Sequence, residues 1–210
     1  MPVKMGLIQE LLPDSKKAGF KDAPDWGNDD KPWLVLSRDD SGLIAQISNK
    51  GLGQNNSFIH PSAIIGEFVK IEGGCYIGPG AEIRHGAYLR RGSWICDGAL
   101  VGHSTEVKNS ILLPGAKAPH FNYVGDSILG IDSNIGAGAK LSNVRNDRRN
   151  VLMTLKDGSR LDSGHRKLGA LVGDSSQIGC NVVSNPGTIF PPNSMVGPNK
   201  TISGWFGLMS

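Results

Sequence analysis

Aliphatic residues recur at every sixth position from residue 59: Ile59, Ile65, Ile71, Ile77, Ile83, Leu89, Ile95, Val101, Val107 and Leu113. Four places after most of them stands a small or β-branched residue: Ala63, Val69, Cys75, Ala81, Ala87, Ser93, Ala99, Thr105 and Ile111. Helices repeat near 3.6 residues and strands alternate at two, so neither gives a six. A period of six predicts a short strand, a corner, then another strand, which is the pattern of a parallel β-helix. The aliphatic points into the prism. The residue four later sits near a corner and must be small. Glycine often follows the aliphatic (Gly66, Gly78, Gly102) and tolerates corner dihedrals. These repeating residues are scaffold rather than chemistry.

The period resumes at Leu129, Ile135 and Leu141, and again at Val172, Ile178, Ser184, Phe190, Val196 and Ile202, with Ser184 its one polar lapse. Two stretches fall outside it and are expected to be loop insertions, at about residues 117–128 and 143–168. Within the second, Val151–Leu155 and Arg160–Asp162 flank Lys156-Asp157-Gly158-Ser159, which predicts a hairpin turning at Asp-Gly. Insertions in a rigid solenoid usually carry the binding work. The expected organisation is all-β: a capping segment over 1–57, a β-helix over 58–204 and a tail over 205–210. In the first segment, Gly6–Leu12 reads as one or two helical turns. Trp33–Ser37 and Leu43–Ile47 read as a hairpin that closes the open end of the stack, where strand edges would otherwise be exposed. Trp205 and Phe206 are candidates to cap the other end.

Composition agrees. Glycine is abundant (29 of 210 residues) and aromatics are only 6%, which argues against a helical bundle. The net charge of +3 is too small to suggest nucleic-acid binding by bulk charge, but it leaves room for a local basic patch. Three scattered cysteines suit neither a disulfide framework nor a zinc motif. The chain shows no apolar run long enough to span a bilayer and no secretory signal at its start, so a cytoplasmic setting is expected.

Several stretches carry more than scaffold. They are Tyr88-Leu89-Arg90-Arg91-Gly92, Glu106-Val107-Lys108-Asn109, Lys117-Ala118-Pro119-His120-Phe121-Asn122-Tyr123-Val124-Gly125-Asp126, Asn134-Ile135-Gly136-Ala137-Gly138 and Gly164-His165-Arg166-Lys167-Leu168-Gly169-Ala170. With these, the chain over about 59–204 resembles the left-handed β-helix acyltransferases. The likeness is to the C-terminal half of the bifunctional enzymes that acetylate glucosamine-1-phosphate and then uridylylate it, in their archaeal branch. The resemblance implies the left hand, an exception to the right-handed crossover rule. It also implies a homotrimer with sites between subunits, acetyl-CoA as co-substrate and a place in UDP-N-acetylglucosamine synthesis.

The same resemblance implies roles for individual residues. His120 would be the general base toward the sugar amine, suited by a pKa near neutral, and Glu106 would orient its imidazole. Arg90 and Lys108 would hold the sugar phosphate. Tyr123 and Asn134 would contact the sugar. A later basic residue of the family falls on Arg149 counting forward or on Lys167 counting backward. Asn143, Cys180 and Gly197 would lie on the acetyl-CoA side. No metal is implied for acyl transfer. Departures exist: Arg91 replaces a proline, Cys180 replaces a serine, and Pro198 lacks an amide that CoA would use. No Gly-rich nucleotide loop appears in residues 1–58, so no nucleotidyltransferase half is expected in this chain.

Other readings share the scaffold. His85 and His103 stand 18 residues apart, which three hexapeptides per coil would stack. With His120 they suggest a zinc site of the γ-carbonic-anhydrase kind. A non-catalytic solenoid partner of a separate sugar nucleotidyltransferase is another. Acyl transfer to a different amino sugar, to a hydroxyl, or from a longer acyl chain is a further one. Cys96 or Cys180 as nucleophile is the least expected. The cluster Arg145, Arg148, Arg149, Lys156, Arg160, Arg166 and Lys167 brackets the second insertion, either as a solvated face or meeting phosphate or CoA.

Overall fold

The computed structural model describes residues 6–15, 23–28, 30–50 and 54–208. From Phe58 to Ile202 the chain winds through three parallel sheets of seven strands each. On the first face Phe58–Ile59 pairs with Tyr76–Ile77, on the second Ile64–Ile65 pairs with Glu82–Ile83, and on the third Lys70–Ile71 pairs with Tyr88–Leu89. Each strand bonds only to the coils before and after it, so three flat faces enclose one prism. This is the expected left-handed parallel β-helix. The repeating aliphatics fill its interior: Ile77, Ile83, Leu89, Ile95, Val101 and Val107 are wholly buried.

The six-residue count slips at one corner. Trp94 pairs with Ile111 and Ile95 with Leu112, so Leu112 points inward, while Leu113 lies in a second cluster outside the prism. Ser110, rather than Ile111, takes the small corner position, with its hydroxyl donating to the Lys108 carbonyl at 2.8 Å. The next coil repeats the shortened step, pairing Ile111 with Ile128. In both short corners a polar residue adopts the left-handed backbone: Asn109 (φ 46°) and Asp126 (φ 47°).

Residues 117–126 are therefore not a loop insertion. Lys117–His120 and Tyr123–Gly125 are strands of the second and third faces, and Ala118 and Val124 fill the interior in register with Leu112. The stretch only looked irregular because the count had continued from Leu113. The second insertion is real. Leu152–Thr154 and Arg160–Asp162 form its antiparallel hairpin, and Gly158 (φ 80°) lies in the five-residue connection between them.

The N-terminal segment also differs from expectation. Pro32–Leu36 is a 3-10 helix and Leu43–Asn49 an α-helix, not two strands. Proline fits the first position of a helical turn, since it needs no amide partner there. The segment lies along the first face, not over the open end, where Ile59 and Ile65 stay 44% and 40% exposed. Outward from that face point Tyr76, Trp94, Ile111, Ile128, Leu171 and Ile189. They are buried against Ile8, Leu11, Trp33, Val35, Leu36, Leu43 and Ile47. The hairpin joins this layer through Val151 and Met153, and the Trp33 indole N–H donates to the Ser163 carbonyl at 3.0 Å. At the far end Trp205 bridges to Ile189, and Phe206 packs 5.9 Å from Phe190. No described helix is long and apolar enough to cross a membrane.

Candidate functional site

The third face is polar on its outside. Tyr88, Glu106, Tyr123 and Lys140 stand in register on successive coils. Arg90 and Lys108 each follow an inward residue by one, so strand alternation turns them out beside that row. Arg90 Nη1 donates to Glu106 Oε1 at 3.0 Å, and Arg90 Nε lies 3.9 Å from Glu72 Oε1. The Tyr88 hydroxyl donates to Glu72 Oε1, and the Arg91 amide donates to Glu72 Oε2 at 3.1 Å. Hydrogen bonding to Tyr88, then to the Arg91 amide, holds the Glu72 carboxyl below its ordinary value.

One coil onward, Lys108 Nζ reaches Asp126 Oδ2 at 3.0 Å, and both side chains are largely buried. Asp126 accepts as well from Asn143 Nδ2 at 2.5 Å and from Asn109 Nδ2 at 2.9 Å. Asn109 Nδ2 also donates to the Leu36 carbonyl at 2.9 Å, which ties this corner to the N-terminal segment. Asn143 Nδ2 lies 3.3 Å from the Tyr123 hydroxyl. Burial, then the charges of Glu106 and Asp126, push the Tyr123 phenol above its ordinary value, so it stays neutral near pH 7.

Beyond Asp126 the corner opens into a cavity of about 790 Å3 between residues 36–38 and the base of the insertion. Arg38, Arg145, Arg148, Arg166 and Lys167 line it with His165. Arg145 is paired with Asp147, and Arg166 Nε donates to the Arg148 carbonyl at 3.1 Å. Burial pushes the His165 imidazole down, partly offset by Asp126 and Asp39. A smaller cavity of about 390 Å3 shares Arg38 and is lined by Glu72, Arg90, Arg91 and Lys108.

Five residues singled out in the sequence thus gather on or beside the third face: Arg90, Glu106, Lys108, Tyr123 and Asn143. His120 ends a second-face strand and is exposed at the corner leading to the third face. Its amide donates to Asn122 Oδ1 at 3.0 Å, and its carbonyl accepts from the Gly138 amide at 3.1 Å. Within the chain Glu106 bonds Arg90 rather than the His120 ring. Arg90 and Lys108 are each neutralised by a carboxylate. Asn134 and Gly197 lie on the second face and Cys180 is an exposed thiol at a corner, so they form no single pocket with Asn143. Of the two basic candidates, Lys167 lines the large cavity, whereas Arg149 is exposed outside it.

The rings of His85 and His103 stack at 5.5 Å, and His103 Nδ1 lies 3.0 Å from the His85 carbonyl. Among the described residues no three metal-ligating side chains converge. Burial pushes the Cys75 thiol up to about 12, which makes it inert at neutral pH. Glu72, Asn109, Asp126 and Arg38 were missed as site residues. The 17-residue step from Asn109 to Asp126 was a readable signal, because it breaks the 18-residue coil at the corner where they meet.

Residues 71–206 match the family described as the GMPPB C-terminal domain, and residues 54–85 match the bacterial transferase hexapeptide (six repeats). A bifunctional sugar-1-phosphate nucleotidylyltransferase/acetyltransferase of Sulfurisphaera tokodaii is 35% identical over 192 residues, covering 85% of this chain and 46% of that protein. The bifunctional protein GlmU of Methanococcus vannielii is 35% identical over 207 residues, covering 91% and 48%. That of Methanocaldococcus jannaschii is 34% identical over 209 residues, covering 93% and 49%. The chain spans about half the length of the curated relatives it matches.

Proposed function

The chain belongs to the GMPPB C-terminal domain family, and from its likeness to the transferase hexapeptide and to a relative named as an acetyltransferase we propose that it is an acyltransferase that moves acetyl from acetyl-CoA to the amine of an amino-sugar phosphate. One observation carries the reading: Arg90, Glu106, Lys108, Tyr123 and Asn143 share one polar face of the prism, with His120 exposed at its edge. A relative named as a sugar-1-phosphate nucleotidylyltransferase/acetyltransferase aligns over 85% of the chain, which supports the substrate class.

In this reading the sugar amine attacks the thioester carbonyl. The C–N bond forms, the C–S bond breaks, and CoA leaves as the thiol after taking a proton. His120 accepts the proton that the amine sheds, the work for which enzymes most often use a histidine. Arg90 and Lys108 meet the sugar phosphate, and their carboxylate partners Glu106 and Asp126 hold them in place beforehand. The neutral Tyr123 hydroxyl and Asn134 contact the sugar. Asn143, Cys180 and Gly197 serve the acetyl-CoA side.

The reading includes a homotrimer. In its support, Phe68 and Phe121 stand on the His120 corner 82% and 55% exposed, both at positive φ (56° and 38°). Bulky residues rarely adopt that backbone, and apolar side chains held outward in this way suit a covered surface.

A thiol-release assay with acetyl-CoA across glucosamine-1-phosphate, galactosamine-1-phosphate and the free amino sugars tests the proposal. Release with a phosphorylated amino sugar and little with the free sugar is expected. No release above background with any acceptor would overturn it.

A further inference from the structure

We infer that Asn122 is a positioning residue for His120, one that aims the imidazole without touching substrate. This rests on the reading of His120 as the base and names what holds it. His120 is exposed at its corner, and the hydrogen bonds it makes to described residues come from its backbone. Glu106, the residue expected to orient the ring, bonds Arg90 within the chain, which leaves the main chain to aim His120. Aim matters, because a base must lie within about 3 Å of the proton it takes, and a misplacement near 1 Å costs about a hundredfold in rate.

Asn122 is buried at the same corner. Its Oδ1 accepts from the His120 amide at 3.0 Å, and its Nδ2 donates to the Gly136 carbonyl at 2.7 Å, with the Ala139 carbonyl at 3.4 Å. Its own amide donates to Thr105 Oγ1 at 3.2 Å, and its carbonyl accepts from the Glu106 amide at 2.9 Å. One residue thus ties the His120 backbone to the coil before it and the coil after it. A donor facing one end of the carboxamide and acceptors facing the other fix which way the group points.

The scaffold does not ask for asparagine here. The residue immediately before the third-face strand is small or β-branched on the neighbouring coils: Ala87 and Thr105 on one side, Ala139 and Val182 on the other. At these four corners the backbone amide donates to the carbonyl three residues earlier, at 3.1 to 3.4 Å. At Asn122 the amide goes to Thr105 Oγ1, and the side chain supplies bonds that the other corners do not have. A buried carboxamide costs free energy unless both its ends are bonded. Alanine would fill the corner without that cost, so what asparagine adds is the acceptor for His120.

Steady-state thiol release from acetyl-CoA with glucosamine-1-phosphate tests it, using the full chain as wild type, Asn122→Ala, His120→Ala and the double variant. Ala87 and Ala139 fill equivalent corners, so Asn122→Ala should fold; circular dichroism and thermal unfolding check this. Asn122→Ser, whose hydroxyl stops one atom short of Oδ1 and Nδ2, gives the same test if the alanine variant does not fold. Asn122→Ala is expected to lower kcat about tenfold, with KM for both substrates changed less than about twofold. In the His120→Ala background the same substitution should change kcat less than about twofold, since the group it aims is gone. A residue that only supports the fold would lower kcat by the same factor in both backgrounds. By NMR, the His120 amide should exchange with solvent about tenfold faster in Asn122→Ala than in the wild type. The inference is overturned if Asn122→Ala keeps the wild-type kcat, if its loss persists in the His120→Ala background, or if the His120 amide exchanges at the wild-type rate. Unchanged kcat in His120→Ala would instead overturn the base, and the role of Asn122 with it, so the two failures are told apart.

Discussion

Asn109 donates its side-chain amide to Asp126 Oδ1 at 2.9 Å, across two consecutive corners that are each one residue short of the regular coil. Both residues take the left-handed backbone that recurs at the corners of the coil, and Asn109 reaches the Leu36 carbonyl as well. Asp126 then serves as acceptor for Lys108, Asn109 and Asn143 together. Replacing it by asparagine removes the charge that balances a Lys108 side chain only 12% exposed. Asp126→Asn should cost about 3 kcal/mol, the scale of leaving a buried charge without its partner. Urea unfolding measures it, and Lys108→Met added to Asp126→Asn should recover part of the loss. Equal midpoints for wild type and Asp126→Asn would show the cluster to be energetically idle.

Ser184 occupies an inward position filled elsewhere by aliphatics, in register with Leu141 and Ile202. It is wholly buried, and among the described residues its hydroxyl has no hydrogen-bond partner. An unbonded buried hydroxyl costs about 1–3 kcal/mol. Ser184→Val should therefore raise stability by about 1 kcal/mol, visible as a higher urea midpoint at unchanged slope. A lower midpoint would mean that the hydroxyl is satisfied or the site too tight.

Most of the prism was legible because its interior demands one residue type at one spacing. A one-residue slip was not, since Leu112 and Leu113 are both leucines and the count ran on through the wrong one. The first face hid for a different reason. Its outward row, Tyr76, Trp94, Ile111, Ile128, Leu171 and Ile189, is apolar, so that face is buried on both sides. That row predicts a covering layer, but it says nothing of what covers it. The 33–37 and 43–47 stretches alternate enough to pass for strands, and packing against this row made them helical. For the site, residue types and faces could be read. The carboxylate partners of Arg90 and Lys108 and the basic cavity arise from elements that only the fold brings together.

Asp174 fastens the N-terminal helix to the solenoid. Its carboxylate accepts from the amides of Asp14 (3.0 Å) and Ile131 (2.8 Å), and its own amide donates to the Leu11 carbonyl. Burial raises its pKa above the ordinary 3.8, more than those bonds lower it. A carboxyl whose folded pKa is raised holds more protons folded than unfolded. Its contribution to stability is thus greatest at low pH and declines as pH climbs through the interval just above 3.8. Asp174→Asn cannot ionise, so the drop in stability across that interval should be smaller than in the wild type. Denaturant melts at a series of pH values from 3.5 upward check this; an unchanged slope would remove Asp174 as its source.

Gly102 leaves no room for a side chain, since a Cβ there would stand 1.7 Å from the Pro119 carbonyl oxygen. These residues precede His103 and His120, which pair across the second face. Gly102→Ala must push the two strands apart where the proposed base is anchored. A cost of about 3 kcal/mol is expected, at the upper end for overpacking in a close-packed interior, with acyl transfer falling more than stability alone explains. Full activity at saturating substrate in a folded Gly102→Ala protein would show that the spacing of His120 tolerates error.

His120 is exposed, and among the described residues its hydrogen bonds are made by its backbone. Removing the ring should therefore leave folding untouched, which makes it a clean probe of chemistry. His120→Ala is expected to lower kcat by about a hundredfold or more, the scale of losing a general base, with KM for both substrates little changed. A structural role would instead lower the thermal midpoint. If kcat survives the substitution in a folded protein, the proton leaves the amine by another route and His120 has no part in the transfer.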